Sequence, residues 1–305
     1  MNSISSLGQP PPPNRTALVV DPTPDVSASL LGVFEPKGWG VAQAPDNRAA
    51  LAMVEAKPFD LIITGGKTSG KEDVDLLQKI RRIRPHTRMI ILTDRSTPED
   101  VLASMRERAF SYFSVPLSLE SLVEMVRAAI EGPCWDDGIE VLAATPEWIS
   151  LAVRCDVKTG DRLLQFLREI TDLGESERRD VGYAFREMLL NAIEHGGHFN
   201  PALYVEISYV RTRGAVICRI KDPGEGFSLD EIRHAAIANP SGDPTHHLAV
   251  REEQGLRPGG FGVMMARQLV DELVYGEKGN EVLLVKYLAG DSSGDRPDGT
   301  EASTQ

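Results

Sequence analysis

From residue 17 to residue 130 the chain alternates short apolar runs with amphipathic segments of helical spacing, and this rhythm restricts the fold more than any other feature. The apolar runs fall at 17–20, 40–44, 61–64, 89–93 and 111–113, and the helical stretches at 25–34, 48–55, 73–83, 98–107 and 119–130. Strands and helices alternating at this length predict an α/β fold built on a doubly wound parallel sheet. Functional residues are then expected at the carboxyl ends of the strands.

The pattern lapses between 131 and 146, where Gly, Pro and Asp gather as they do at a domain join. A second unit follows, with helices expected at 161–171 and 175–194, strands at 203–210 and 215–221 joined by a turn at 211–214, a polar stretch at 228–256, a helix at 262–272 and a last strand at 281–288. The expected organisation is a tail at 1–14, a first domain at 15–131, a linker at 132–146, a second domain at 147–289 and a tail at 290–305. The two tails read as disordered: one carries the run Pro10 to Pro13, the other is rich in Gly, Ser, Asp and Thr, and neither can bury enough surface to repay ordering. A chain of 305 residues also suits two ordinary cores better than one.

Net charge of −12 and a pI near 5.1 leave no surplus of Lys and Arg to neutralise phosphates, so nucleic acid is not expected as a direct partner. No apolar run reaches the roughly 18 residues of a membrane span, and residues 1–9 lack the charged and apolar regions of a signal peptide. A cytoplasmic location without membrane attachment is expected. Cys134, Cys155 and Cys218 have no metal-binding or disulfide spacing and read as small buried apolar residues.

Three segments of the second domain carry chemistry. In the helix ending near His195, Glu187 and Asn191 stand four apart and share a face, beside an apolar stripe of Val181, Phe185, Leu189 and Ala192. Residues 221–227 leave a strand as Lys-Asp-Pro-Gly-Glu-Gly-Phe, an Asp followed by glycines that let backbone approach a flat ligand. Residues 257–262, Arg-Pro-Gly-Gly-Phe-Gly, open a helix whose free N–H groups favour phosphate. Singly, each has a plainer reading as a solvated face, a tight turn or a cap. In this order on these elements, together they indicate a nucleotide site. His195 at the helix end suits a capping role, and the adjacent His246 and His247 read as solvated loop residues.

The three segments resemble the N box and the two glycine boxes of the ATPase fold shared by gyrase, histidine kinases and anti-sigma-factor kinases. The phrases FREMLLNAIEHG from Phe185 and RPGGFGVMMARQLVDEL from Arg257 are most similar to the anti-sigma serine kinases. This resemblance implies an α/β sandwich of the histidine-kinase-like ATPase type. It implies that Asn191 holds Mg²⁺ against the phosphates of ATP and that Asp222 accepts from the adenine amino group. Gly224 and Gly226 would admit the nucleotide, while Arg257, Gly259, Gly260 and Gly262 would surround the phosphates. Glu187 takes the place of the family's proposed base, residues 228–256 that of the ATP lid, and a homodimer is the family-based expectation.

The first domain resembles the flavodoxin-like receivers of response regulators, with Thr93 and Pro116 where that family keeps its switch hydroxyl and its Lys-Pro proline. Its phosphorylation chemistry is absent. Asp21 survives beside Pro22, but the acceptor position falls on Gly65 and the Lys position on Val115. A receiver fold kept as a binding or dimerising surface, through its last helix and strand, is therefore expected.

The leading functional expectation is an ATP- and Mg²⁺-dependent protein serine/threonine kinase of anti-sigma-factor type. It would act as a switch between a sigma factor or related regulator and a small antagonist protein. The alternative is an ATP-sensing module that binds nucleotide without transferring phosphate. A histidine kinase would need a phosphorylatable His ahead of the ATP domain, and residues 130–161 contain none.

Overall fold

The computed structural model describes residues 15–131, 138–171, 173–226, 243, 246–253 and 261–288. The N-terminal domain runs β1 (Thr16–Val20), α1 (Pro24–Phe34), β2 (Gly40–Ala44), α2 (Asn47–Ala56), β3 (Leu61–Ile63), α3 (Gly70–Ile83), β4 (Arg88–Thr93), α4 (Pro98–Arg106), β5 (Ser111–Ser114) and α5 (Leu119–Glu131). Its five strands are all parallel in the order β2-β1-β3-β4-β5. Strands β3 and β4 are buried along their whole length, as expected where helices cover both faces. Local sequence sets the helix starts: Ser69 with Glu72 and Thr97 with Asp100 form reciprocal capping boxes.

The C-terminal domain runs β6 (Ile139–Thr145), β7 (Trp148–Arg154), α6 (Val157–Ile170), α7 (Glu175–Asn191), β8 (Tyr204–Arg211), β9 (Ala215–Lys221), α8 (His246–Glu253), α9 (Gly262–Leu269), β10 (Glu272–Tyr275) and β11 (Glu281–Tyr287). Its strands form a six-stranded antiparallel sheet in the order β10-β11-β9-β8-β7-β6. Helices α6, α7 and α9 supply apolar side chains such as Phe166, Phe185 and Ala266 to its core. The expected α/β architecture of both units is thus present. No helix among the described residues is long and apolar enough to cross a membrane.

Four local expectations differ. Residues 139–145, read as linker, are the edge strand β6; alternate half-buried positions and a register shift between Val141 and Ala143 blur the period-2 signal there. Helix α6 begins at Val157 rather than 161, because Asp156 caps it through the Thr159 N–H. The helix expected to reach 272 ends at Leu269, and Glu272–Tyr275 pairs as β10. Within the stretch read as an irregular lid, His246–Glu253 is helical; residues 227–242, 244–245 and 254–260 lie outside the described residues.

The β5 edge of the first sheet is covered from within the chain. Helix α6 lies along it and pairs its outward backbone groups: Arg162 Nε donates to the Phe110 carbonyl at 2.9 Å, Gln165 Nε2 to the Tyr112 carbonyl at 3.0 Å, and Ser114 N to Glu169 Oε2 at 3.2 Å. The Arg162 guanidinium also sits 4.1 Å over the Phe110 ring. Arg162 and Gln165 are nearly fully buried, so covering the edge satisfies backbone groups that would otherwise be lost to solvent or to another chain. Burial raises the Glu169 carboxyl above its ordinary range, and its bonds from Ser114, the neighbouring Arg178 and Gln165 oppose that shift.

Candidate functional site

Helix α7 buries Val181, Phe185, Leu189 and Ala192, as the sequence spacing requires, and leaves Glu187 and Asn191 partly exposed one turn apart. The helix then widens into a π turn, Ala192–Gly196, before the chain reverses through His198 and Phe199, both at positive φ. The widening presses the end of α7 onto two strand ends. A Cβ on Gly196 would lie 2.2 Å from Asp222 Cγ, and one on Gly197 would lie 2.2 Å from Cys155 Sγ. Glycine at both positions is what lets these elements meet.

Asp222 follows β9 and is held from several sides. Its Oδ1 accepts the Gly224 N–H at 2.8 Å, its own N–H donates to the Asn280 carbonyl at 2.9 Å, and Gly224 sits so close that a Cβ would be 2.9 Å from Oδ1. Burial raises the Asp222 carboxyl above the usual range, while the Gly224 and Asp222 backbone N–H groups and His195 oppose that shift. Cys155, below it, is fully buried, and burial together with Asp222 pushes its thiol up to about 11. Buried Cys218 is likewise pushed up to about 12, and both residues lie buried as expected. Cys134 lies outside the described residues.

On the other side of α7, the start of α9 meets Glu187. A Cβ on Gly262 would stand 2.5 Å from Glu187 Oε2, which places the carboxylate against the first turn of that helix. The structure therefore gathers Glu187 with Gly262, and Gly196 with Asp222 and Gly224, around the end of one helix that carries Asn191 between Glu187 and Gly196. Arg257, Gly259 and Gly260 lie outside the described residues, as does most of the stretch read as a lid. Gly226 stays in the left-handed region at φ 88°, where a Cβ would lie 1.8 Å from the Lys278 carbonyl oxygen. Asn280, on the turn facing this loop, escaped the sequence reading, because a lone Asn after a Gly carries no motif.

The corresponding corner of the N-terminal domain is closed. A Cβ at Gly65 would lie 2.0 Å from the Asp21 carbonyl oxygen and 2.1 Å from that of Val20, so backbone fills the place of a side chain. Lys67 Nζ pairs with Asp21 Oδ1 at 2.8 Å, and the Thr93 hydroxyl donates to the Thr68 carbonyl. Val115 is exposed, with no charged group to offer a phosphoryl oxygen.

Residues 156–286 match the family model described as the histidine kinase-like ATPase domain, and residues 17–127 match that of the response regulator receiver domain. The chain joins a receiver domain to a histidine-kinase-like ATPase domain. It is 27% identical over 119 residues to the nitrogen assimilation regulatory protein NtrX of Azorhizobium caulinodans, covering 37% of this chain and 26% of that protein. It is 27% identical over 115 residues to the probable transcriptional regulatory protein TcrX of Mycobacterium tuberculosis, covering 38% and 49%. The chain thus spans between a quarter and a half of the length of these relatives. A solved CheY-like receiver from Methanospirillum hungatei aligns at 26% identity and a TM-score of 0.33, over 37% of this chain and 90% of that one.

Within the ATPase domain the residues present fit a nucleotide. Gly196 and Gly224 clear space for the Asp222 carboxylate, whose backbone anchoring through the Gly224 N–H suits a fixed hydrogen-bond acceptor. The receiver domain offers no such cradle at Gly65.

Proposed function

We propose that this chain binds ATP with Mg²⁺ in its ATPase domain and acts as a protein serine/threonine kinase of the anti-sigma-factor type. The observation that carries this reading is the arrangement at the C-terminal end of α7 and the π turn that follows it, where Glu187 meets the start of α9 and Gly196 meets Asp222. Phosphate needs a positively polarised helix start, and adenine needs a fixed acceptor; the two are supported here from one rigid element.

In this reading Asp222 accepts from the adenine amino group, and Gly224 and Gly226 let the ring and sugar approach. Asn191 holds Mg²⁺, which neutralises charge on the phosphates when bound. Gly262, with Arg257, Gly259 and Gly260, surrounds the phosphate end. A serine hydroxyl of a partner protein attacks the γ-phosphorus; Glu187 takes the hydroxyl proton as the new O–P bond forms, the bond from the β–γ bridging oxygen breaks, and ADP leaves. Alignment and charge neutralisation supply most of the rate, since phosphoryl transfer asks little covalent help of the protein.

The switch would act in the cytoplasm, as a homodimer, between a sigma factor or related regulator and a small antagonist protein. The receiver domain, lacking an acceptor at Gly65, contributes a docked protein surface rather than a phosphorylation input. Incubating the full chain with γ-labelled ATP, Mg²⁺ and candidate antagonist proteins tests the proposal. Labelled serine that disappears in Glu187→Ala supports it. Nucleotide binding without any transfer favours the ATP-sensing alternative, and labelling that persists in Glu187→Ala removes the assigned base.

A further inference from the structure

We infer that Asn280 is a positioning residue for adenine recognition, clamping the loop that aims Asp222 without itself meeting the ligand. This rests on the ATP-binding reading above. The Asn280 carboxamide nitrogen lies 3.4 Å from the Asp222 carbonyl oxygen and 3.2 Å from that of Gly224. Both neighbours are acceptors, so the NH₂ end of the amide must face them, and its two hydrogens suit two carbonyls. The Asn280 main chain adds a third tie by accepting the Asp222 N–H at 2.9 Å.

These bonds act on a loop rich in glycine. Residues 222–226 contain two glycines, and Gly226 takes a positive φ of 88° that few other residues would tolerate. The turn before β11 presses on the same loop, because the Lys278 carbonyl oxygen occupies the side of Gly226 where a Cβ would be, 1.8 Å away. Asn280 thus spans the backbone on both sides of Pro223, while the Asp222 carboxylate is trimmed by Gly224 N–H at 2.8 Å. Loss of the clamp frees the main chain that carries the carboxylate, and a misplaced acceptor loses most of a directional hydrogen bond.

The test uses the full chain and two nucleotides titrated by calorimetry with Mg²⁺: ATP, and purine riboside triphosphate, which lacks the 6-amino group. Asn280→Ala is expected to weaken ATP by about tenfold and the analogue far less, so that the preference for the amino group collapses. Asn280→Asp, which sets an acceptor against two carbonyls, lowers ATP affinity further, and Asn280→Ser, with one donor, gives an intermediate preference. In an Asp222→Ala background, Asn280→Ala is expected to add nothing, since it acts through that carboxylate. Thermal unfolding checks each variant, and Asn280→Ser serves if Asn280→Ala does not fold. Equal loss for both nucleotides, or full additivity with Asp222→Ala, overturns the positioning role. A wild-type chain that binds neither nucleotide overturns the ATP reading itself, and this inference falls with it.

Discussion

The two domains each contain a corner built on glycine at the end of a strand or helix, and glycine occupies the two for opposite reasons. At Gly65 the absent side chain lets backbone close in, with the Val20 and Asp21 carbonyls standing where a Cβ would be and the Lys67 ammonium paired to the surviving carboxylate. At Gly196 and Gly224 the absent side chains keep room for another residue's carboxylate, Asp222. One corner has collapsed onto its own main chain, and the other is held open around a functional group. A glycine at a strand or helix end is therefore informative only together with what fills the space it leaves.

The largest expected effect breaks the comparison on the open side. Glu187→Gln removes the proton acceptor but keeps the packing beside Gly262, so phosphotransfer should fall by roughly 10² to 10⁴ while ATP affinity holds. Labelled transfer and calorimetry read the two separately. Equal transfer by the variant would leave the ATPase domain without its assigned base.

On the closed side, Gly65→Asp restores the acceptor by name only. Its Cβ would meet two carbonyl oxygens near 2 Å, both belonging to main chain that cannot swing aside as a side chain does. The expected cost is roughly 3 kcal/mol or more in urea unfolding, with no uptake of phosphoryl groups from acetyl phosphate. Gly196→Ala makes the contrast, because what it meets is the Asp222 side chain: nucleotide affinity should suffer more than stability. A stable, phosphorylated Gly65→Asp protein would show that the corner reopens easily.

Beneath the closed corner lies a buried carboxyl. Asp73 accepts from Asn47 Nδ2 at 2.8 Å and from Thr68 Oγ1 at 2.7 Å, yet burial outweighs these bonds and raises it from 3.8 to about 6. The folded state then holds its proton more tightly than the unfolded chain, so this group's contribution is greatest below the unfolded value and is lost as pH rises toward about 6. Up to roughly 3 kcal/mol of pH-dependent stability is at stake. Asp73→Asn should flatten the curve over that window; an unchanged slope in urea titrations from about pH 4 to 7 would assign the dependence elsewhere.

How far this could be read in advance depends on the kind of signal. The β3 and β4 runs were legible because strands buried on both faces are continuously apolar, and α7 was legible because its buried stripe recurs at helical spacing. The expectations at Asp222, Gly224 and Glu187 came from motif order, a signal that the sequence carries without any packing information. Strand β6 was missed: it is a half-buried edge with a register shift, flanked by Gly and Pro that mimic a linker. Asn280 was missed because its role exists only through two carbonyls 56 and 58 residues away. The docking of α6 on β5 was equally hidden, since Arg162, Gln165 and Glu169 look in sequence like the solvated side of an amphipathic helix.

That docking supplies the smallest effect and the one that links the two corners. Gln165 Nε2 donates both to the Tyr112 carbonyl and, at 2.9 Å, to Glu169 Oε1, while the other carboxylate oxygen, Oε2, accepts from Ser114. Gln165→Ala leaves a buried carbonyl without its donor, a loss of about 1–2 kcal/mol. The same helix reaches α7, where a Cβ on Gly160 would stand 3.3 Å from Ile193 Cδ1 and 3.5 Å from Leu189 Cδ2, the residues two places either side of Asn191. If α6 transmits order between the domains, ATP should protect the receiver from proteolysis in the wild type and protect it less in Gln165→Ala. Cleavage of receiver and ATPase halves, followed over time with and without nucleotide, separates the cases. Undiminished protection of the receiver in the variant would mean that the open and closed corners share a chain without sharing their stability.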